Sequence, residues 1–312
     1  MPHFDSASFC LECRGQMLDC TPGIPQIAHV MGILNVTPDS FSDGGQYQQL
    51  DTALAQTEQM VAAGAAIIDV GGESSRPKGA TYGKGADPVP LAEELRRVVP
   101  VVEAIAHHYP HTLISVDTYK PAVARAALAA GAHIINDITG LRLYPEMAQV
   151  VAEFNVPLVL MHSLGRPGAM PHEHHYDDVV QAVIESLQTS IQVAQAAGVP
   201  QIITDPGFGF GKSVTENLQL VARVNRLVAM GYPVLVGISR KSTIGAVLSQ
   251  DNQPVEIGDR LYGTLGATAT AVIQGATLIR THDVKPTVDF LKGLGATWKL
   301  AQITDLSGGD GL

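Results

Sequence analysis

This sequence predicts an α/β fold of the (β/α)8 TIM-barrel class with an N-terminal β-hairpin, on three observations. Short apolar runs recur along the chain, segments of helical period alternate with them, and nearly every run ends in a polar residue capable of chemistry. A parallel barrel buries its strands and gathers its site at their C-terminal mouth, so apolar bodies with reactive ends are the strands it needs.

The elements follow in order. Residues 1–27 read as a hairpin extension that could cover the N-terminal end of the barrel, with a turn at Arg14-Gly15-Gln16 and an exit at Pro22, Gly23 and Pro25. The run 30–34 leads to Asn35, and Leu50, Leu54, Thr57, Val61 and Gly64 then share a helix face. The run 66–70 leads to Gly71-Gly72-Glu73, and Leu91, Leu95, Val98, Val102 and Ile105 share the next face. The run 113–116 leads to Asp117, and Pro121 suits the first position of a helix reaching Gly131. Ile134-Ile135 leads to Asn136-Asp137, 158–161 to His162, 202–204 to Asp205, 234–238 to Ser239-Arg240-Lys241, and Leu278-Ile279 to Arg280 and His282. Helices are expected over 177–197, 216–230 and 263–275, each ending at or near glycine. The barrel domain is drawn at 28–295 and a C-terminal tail at 296–312, fraying over the Gly-rich 307–312.

At 312 residues, one barrel uses most of the chain, and 46% hydrophobic with 16% charged residues suits a large core. A net charge of −10, from 20 basic and 30 acidic side chains, argues against nucleic acid as a partner. It also requires that an anionic substrate be met by a local gathering of cations. No apolar stretch is long enough to span a membrane, and the start lacks a basic secretory region, so a cytoplasmic protein is expected. Cys10, Cys13 and Cys20 are read as reduced thiols, since Cys10-x-x-Cys13 has no second ligand pair at a zinc spacing. His172, His174 and His175 are read as surface histidines, with no ligand geometry implied.

Two loops, 37–49 and 73–90, are longer than connection requires and follow strand ends, where such loops often cover a site; tolerated insertions are the alternative. The segment 205–213 fails as a Walker motif because Pro206 replaces the first glycine, and as a dinucleotide fingerprint because Lys212 replaces the last. It reads instead as a turn bringing backbone and Phe210 close to a flat ligand, with Asp205 beneath. Ser239-Arg240-Lys241-Ser242-Thr243 precedes a helix start that Ser242 or Thr243 could cap, a setting that binds anions. Arg280 and His282 lie on one side of an extended segment and suit an oxyanion clamp for phosphate or pyrophosphate. Asn35 then offers a neutral oxygen ligand for Mg²⁺, which takes its other ligands from substrate phosphates and water. Asp117, Asn136 and Asp205 can read the edge of a heterocycle, and a carboxylate stabilises positive charge on it. A divalent metal between the two aspartates is the competing reading.

Taken together, these residues resemble the dihydropteroate synthase family over about residues 30–284. The resemblance is carried by the segments 31–45, 71–77, 116–118, 134–137, 205–212, 239–242 and 279–283 in that order. It implies an enzyme of the transferase class that joins 6-hydroxymethyl-7,8-dihydropterin diphosphate to p-aminobenzoate, releasing pyrophosphate. Carried over by position, Asp117, Asn136, Ile138, Met161, Asp205, Gly209 and Lys241 would hold the pterin. Asn35 with Mg²⁺, Arg280 and His282 would bind the diphosphate. Ser75, Arg76, Pro77, Phe210 and Ser242 would shape the p-aminobenzoate site. Asp117, Lys241, Arg280 and His282 would carry the catalysis, and a homodimer is expected. Ser75 stands where many relatives carry Thr, the loop after it is longer than in compact relatives, and Met170-Pro171 replaces a common Met-Gln. Two rivals stand beside this reading. One is a methyltetrahydrofolate methyltransferase domain, which has no use for Arg280 and His282 as an anion site; the other is a catalytically silent pterin-binding paralogue.

Overall fold

Side chains alternate across a strand, and that alternation sorts this chain into layers. The computed structural model describes residues 9–23, 27–37, 46–73, 88–165, 175–249 and 253–304. Among these, β3 (His29–Asn35), β4 (Ile67–Gly71), β5 (Leu113–Asp117), β6 (Ile134–Asp137), β7 (Pro157–Met161), β8 (Gln201–Asp205), β9 (Leu235–Val236) and β10 (Leu278–Thr281) form one eight-stranded sheet. Every pairing in it is parallel, in the order β8-β7-β6-β5-β4-β3-β10-β9. A parallel bridge from Thr204 to Val234 joins β8 to the chain entering β9, and the Thr204 N–H donates to the Pro233 carbonyl at 2.9 Å. These contacts close the (β/α)8 barrel.

One residue from each strand makes the barrel floor: Met31, Ile67, Leu113, Ile134, Val159, Ile203, Leu235 and Leu278. Their neighbours in sequence, among them Val30, Ile68, Ile114, Ile135, Leu158 and Ile279, belong to the outer core beneath the helices. The expected hairpin, β1 (Cys10–Cys13) and β2 (Gln16–Asp19), pairs antiparallel and adds Leu11, Cys13, Leu18 and Cys20 to the floor cluster. It is tied down by Gln201, which accepts from the Glu12 N–H and donates to the Cys10 carbonyl, and by Arg14, which donates to the Leu128 and Ala132 carbonyls. Burial pushes the Cys13 thiol up to about 12 and raises Cys20 as well, so both are inert filler.

The helices run α1 (Gln46–Ala62), α2 (Leu91–His108), α3 (Pro121–Ala129), α4 (Met147–Phe154), α5 (Val179–Ala196), α6 (Val214–Ala222), α7 (Val224–Val228), α8 (Ser242–Val247), α9 (Leu261–Ile273) and α10 (Val284–Thr304). Pro121 opens α3 as expected, and the Asp178 carboxylate caps α5 by accepting from the Val180 and Gln181 N–H groups. Ser213 and Glu216 form a capping box that starts α6 earlier than the sequence suggests. The single helix expected over 216–230 is broken at Arg223 into α6 and α7. The cap expected from Ser242 or Thr243 is not made. Lys241 holds the N-cap position without a side-chain bond, and the Thr243 hydroxyl instead accepts from Asn217 Nδ2 at 3.0 Å. The last helix continues across the 295/296 boundary drawn from the sequence. Among the described residues, no helix is long and apolar enough to cross a membrane.

Candidate active site

Two residues beyond each floor position, the same inward alternation delivers a different chemistry. From Ile67, Leu113, Ile134, Val159, Ile203 and Leu278 it gives Asp69, Ser115, Asn136, Met161, Asp205 and Arg280. A further step reaches Asn35, Gly71, Asp117 and Ile138 at the mouth. The sheet register sets these side by side, with Gly71 opposite Asp117, Asp117 opposite Asn136, and Met161 opposite Asp205.

Arg280 is the hub. Its Nε donates to Asp69 Oδ2 at 2.6 Å and its Nη2 to Asp117 Oδ2 at 2.8 Å, while Asn136 Nδ2 donates to Asp69 Oδ2 at 3.2 Å. Burial alone would weaken the guanidinium's hold on its proton, but Asp69 and Asp117 together keep its pKa above the ordinary value. Burial pushes the Asp117 carboxyl up to about 7 against the opposing pull of Arg280. The other wall pairs Asp205 with Lys241. Burial raises the Asp205 carboxyl, opposed chiefly by the Lys241 cation. Burial also brings the Lys241 ammonium down to about 7, against the pull of Asp205 and with help from Arg280. Asp117, Asp205, Lys241 and Arg280 are thus one electrostatic unit, in which Asp117 and Lys241 titrate near neutral pH while Arg280 keeps its charge.

The turn after β8 is built by close approach. A Cβ at Gly207, where φ is +67°, would lie 1.7 Å from the His162 carbonyl oxygen, and one at Gly209, where φ is +80°, would lie 2.6 Å from Lys241 Cδ. Asp205 Oδ1 accepts from the Gly207 N–H at 2.7 Å, and Lys212 Nζ donates to the Gly207 and Phe210 carbonyls at 2.8 and 3.1 Å. Lys241 Nζ donates to the Phe208 carbonyl and lies 4.2 Å from the Phe210 ring centroid. Phe210, Ile138 and Met161 form a small apolar cluster of their own, with Tyr119 packed against it.

Arg280 and His282 have different partners. His282 Nδ1 is 3.1 Å from Ser239 Oγ, and desolvation together with the Arg280 and Arg240 cations takes its pKa down to about 4. The ring is therefore a neutral hydrogen-bonding group at physiological pH. Ser242, at the first position of α8, is buried. Ser75, Arg76 and Pro77 lie outside the described residues, as do His172 and His174.

The donor set at Asn35 bears on Mg²⁺. Asn35 Oδ1 and the Asp117 side chain both border the space beside Gly71, each within 3.8 Å of where a Cβ would sit there. Among the described residues no cluster of three or more His, Cys, Asp or Glu could cage a metal. One amide oxygen fits an ion whose remaining ligands are phosphate and water, and it does not fit a metal held by the protein alone.

Residues 31–282 match the model of a family described as pterin binding enzyme. The dihydropteroate synthase of Escherichia coli K12 is 46% identical over 271 residues, covering 86% of this chain and 91% of that protein. The chain belongs to the dihydropteroate synthase family. A solved dihydropteroate synthase from Xanthomonas albilineans, with 4-aminobenzoic acid, is 43% identical, covers 95% of this chain and 98% of that one, and superposes with a TM-score of 0.81. A probable bifunctional folylpolyglutamate synthase/dihydropteroate synthase from Haloferax volcanii is 49% identical over 261 residues, and the chain spans only 29% of its length. Like its family, the chain is a transferase.

Three groups that hold these residues or lie beside them were given no role from the sequence. Asp69 grips Arg280, and its signal was a carboxylate inside an otherwise apolar run. Lys212 was noted only as a mismatch to a phosphate loop, yet it holds the turn together. Lys120 gave no local signal, because its partners, Glu94 and the strand-end Glu73, are distant from it in sequence.

Proposed function

We propose that the site joins 6-hydroxymethyl-7,8-dihydropterin diphosphate to p-aminobenzoate through a pterin-stabilised cation. The bond from the pterin methylene carbon to the diphosphate oxygen breaks with its electron pair leaving on pyrophosphate, the aniline nitrogen forms the new C–N bond, and its proton passes to water. The observation that carries the reading is the cluster in which Arg280 touches both Asp69 and Asp117, with Lys241 and Asp205 coupled to it.

In this reading Asn136 and Asp205 meet the donor and acceptor edge of the pterin, Lys241 and Gly209 lie against it, and Ile138 and Met161 supply the apolar wall. Asp117 faces the carbon where positive charge develops. A cation beside a carboxyl of pKa about 7 favours its ionised form, so the stabilising charge appears as it is needed. Arg280 spends only part of its fork of donors on Asp69 and Asp117, and with His282 it receives the departing diphosphate. Ser75, Arg76, Pro77, Phe210 and Ser242 shape the p-aminobenzoate site. Asn35 would hold Mg²⁺, which when bound neutralises the diphosphate's charge.

Incubation with both substrates and Mg²⁺, scored for pyrophosphate and 7,8-dihydropteroate, tests the reading. A protein that binds pterin and releases neither product refutes it in favour of a silent paralogue. We also infer a homodimer, since Val247, Ile257 and Tyr262 leave apolar surface exposed on and between α8 and α9, with Tyr262 83% exposed. Analytical ultracentrifugation giving a monomer would remove it. A cytoplasmic location accords with the three free cysteines, and cell fractionation tests it.

A further inference from the structure

We propose that Lys120, with Glu73 and Glu94, is a positioning cluster that sets the p-aminobenzoate side of the site against the pterin side. The inference rests on the reaction proposed above. Glu73 lies just past the end of β4, and Val89 lies just before α2. These two residues are tied to each other by one half-buried ammonium–carboxylate pair. Lys120 Nζ donates to Glu73 Oε2 at 2.6 Å and to the Val89 carbonyl at 2.7 Å, while the Val89 N–H donates to the same Glu73 oxygen at 3.0 Å. In sequence, Ser75, Arg76 and Pro77, the residues expected to meet p-aminobenzoate, lie between these two anchors.

The cluster is also joined to the pterin wall. Tyr119 donates its hydroxyl to Glu73 Oε1 at 2.8 Å, and its ring packs on Ile138, Met161 and Phe210. The opposite face of Lys120 is held by Glu94, whose other oxygen accepts from the Thr118 hydroxyl at 2.7 Å. The Lys120, Glu73 and Glu94 side chains are 15%, 8% and 1% exposed. Ion pairs this dry are seldom worth their desolvation cost as stabilisers alone, yet removing one member leaves a charge stranded. Their geometric effect is specific. One cation fixes the spacing between Glu73, Val89 and the aromatic wall.

None of these side chains hydrogen-bonds to Asp69, Asp117, Asp205, Lys241 or Arg280; Glu94 and Glu73 reach Asp117 only through their charge, so the cluster's direct contacts favour an effect on the p-aminobenzoate side. The test is steady-state kinetics with each substrate varied in turn, together with pterin binding by calorimetry. Lys120→Met is expected to raise the KM for p-aminobenzoate about tenfold, with the KM for the pterin diphosphate changed by less than about twofold. Lys120→Arg should recover part of the loss. Tyr119→Phe removes one hydroxyl and keeps the ring, and should raise the same KM about threefold; it carries the test if Lys120→Met fails to fold. An unchanged p-aminobenzoate KM in the folded variants, or both KM values rising together, would overturn the cluster's role while leaving the reaction intact. A wild-type protein that forms no dihydropteroate would overturn both.

Discussion

The floor of the barrel and the layer above it are built from the same strands, one alternation apart, yet they obey opposite rules. Met31, Ile67, Leu113, Ile134 and Leu278 are apolar and almost wholly buried, and what they contribute scales with the area they remove from water. Two residues further on, Asp69 is as completely buried as Ile67, but it is held by Arg280 and Asn136. Its Oδ1 has no hydrogen-bond partner among the described residues. A buried pair of this kind returns little net stability, and losing one member exposes the full cost of the other. One layer keeps the protein folded, and the next accepts strain to hold charge ready.

The sharpest way to break that contrast is to remove its hub. Arg280→Ala strands Asp69, so it should cost about 3 kcal/mol of stability by denaturant titration, and about 2–4 kcal/mol of transition-state stabilisation in kcat/KM. Near-normal turnover would rule out the anion-binding role. On the floor, Ile134→Ala should cost about 2–4 kcal/mol of stability through a buried cavity while kcat stays within about threefold, because no charge moves. A large fall in kcat without unfolding would show that the two layers are not separable.

A subtler comparison uses pH. The Asp117 carboxyl is held at about 7 in the folded protein against an ordinary value of 3.8. Its protonated form therefore adds stability fully below about pH 4, progressively less as the pH rises toward 7, and none above that. Asp117→Asn lacks this dependence. The melting temperature of Asp117→Asn minus that of the wild type should therefore climb between about pH 4.5 and pH 7 and then level off. A difference that stays flat would mean that Asp117 is ionised throughout. The smallest effect concerns the floor's thiols. A mild alkylating reagent at neutral pH should label exposed Cys10 and reach Cys13 and Cys20 only after denaturation, as mass spectrometry can read.

Most of the barrel was legible because apolar runs and helical faces are local signals. Asp117, Asn136, Asp205 and Arg280 could be found because each stands at or near the end of such a run. Asp69 was passed over because it sits one alternation lower, where an apolar side chain is the rule, and only the partner brought by β10 explains it. The capping box at Ser213 and the break at Arg223 turn on hydrogen-bond geometry that periodicity does not encode. Thr243 cannot cap α8 because the helix begins one residue earlier, with Lys241 at the N-cap, and the Thr243 hydroxyl accepts from Asn217 of α6 instead. Lys120 is the clearest case of a residue whose meaning is wholly tertiary, since two carboxylates far from it in sequence converge on its ammonium.

The packed floor, with the hairpin's Leu11, Cys13, Leu18 and Cys20 beneath it, leaves the site one open end. Two reactants must enter and two products must depart by the same rim, so an occupant lodged there blocks traffic in both directions. Compounds that span both halves of that rim should therefore compete with whichever reactant binds first, and with both if either can bind first.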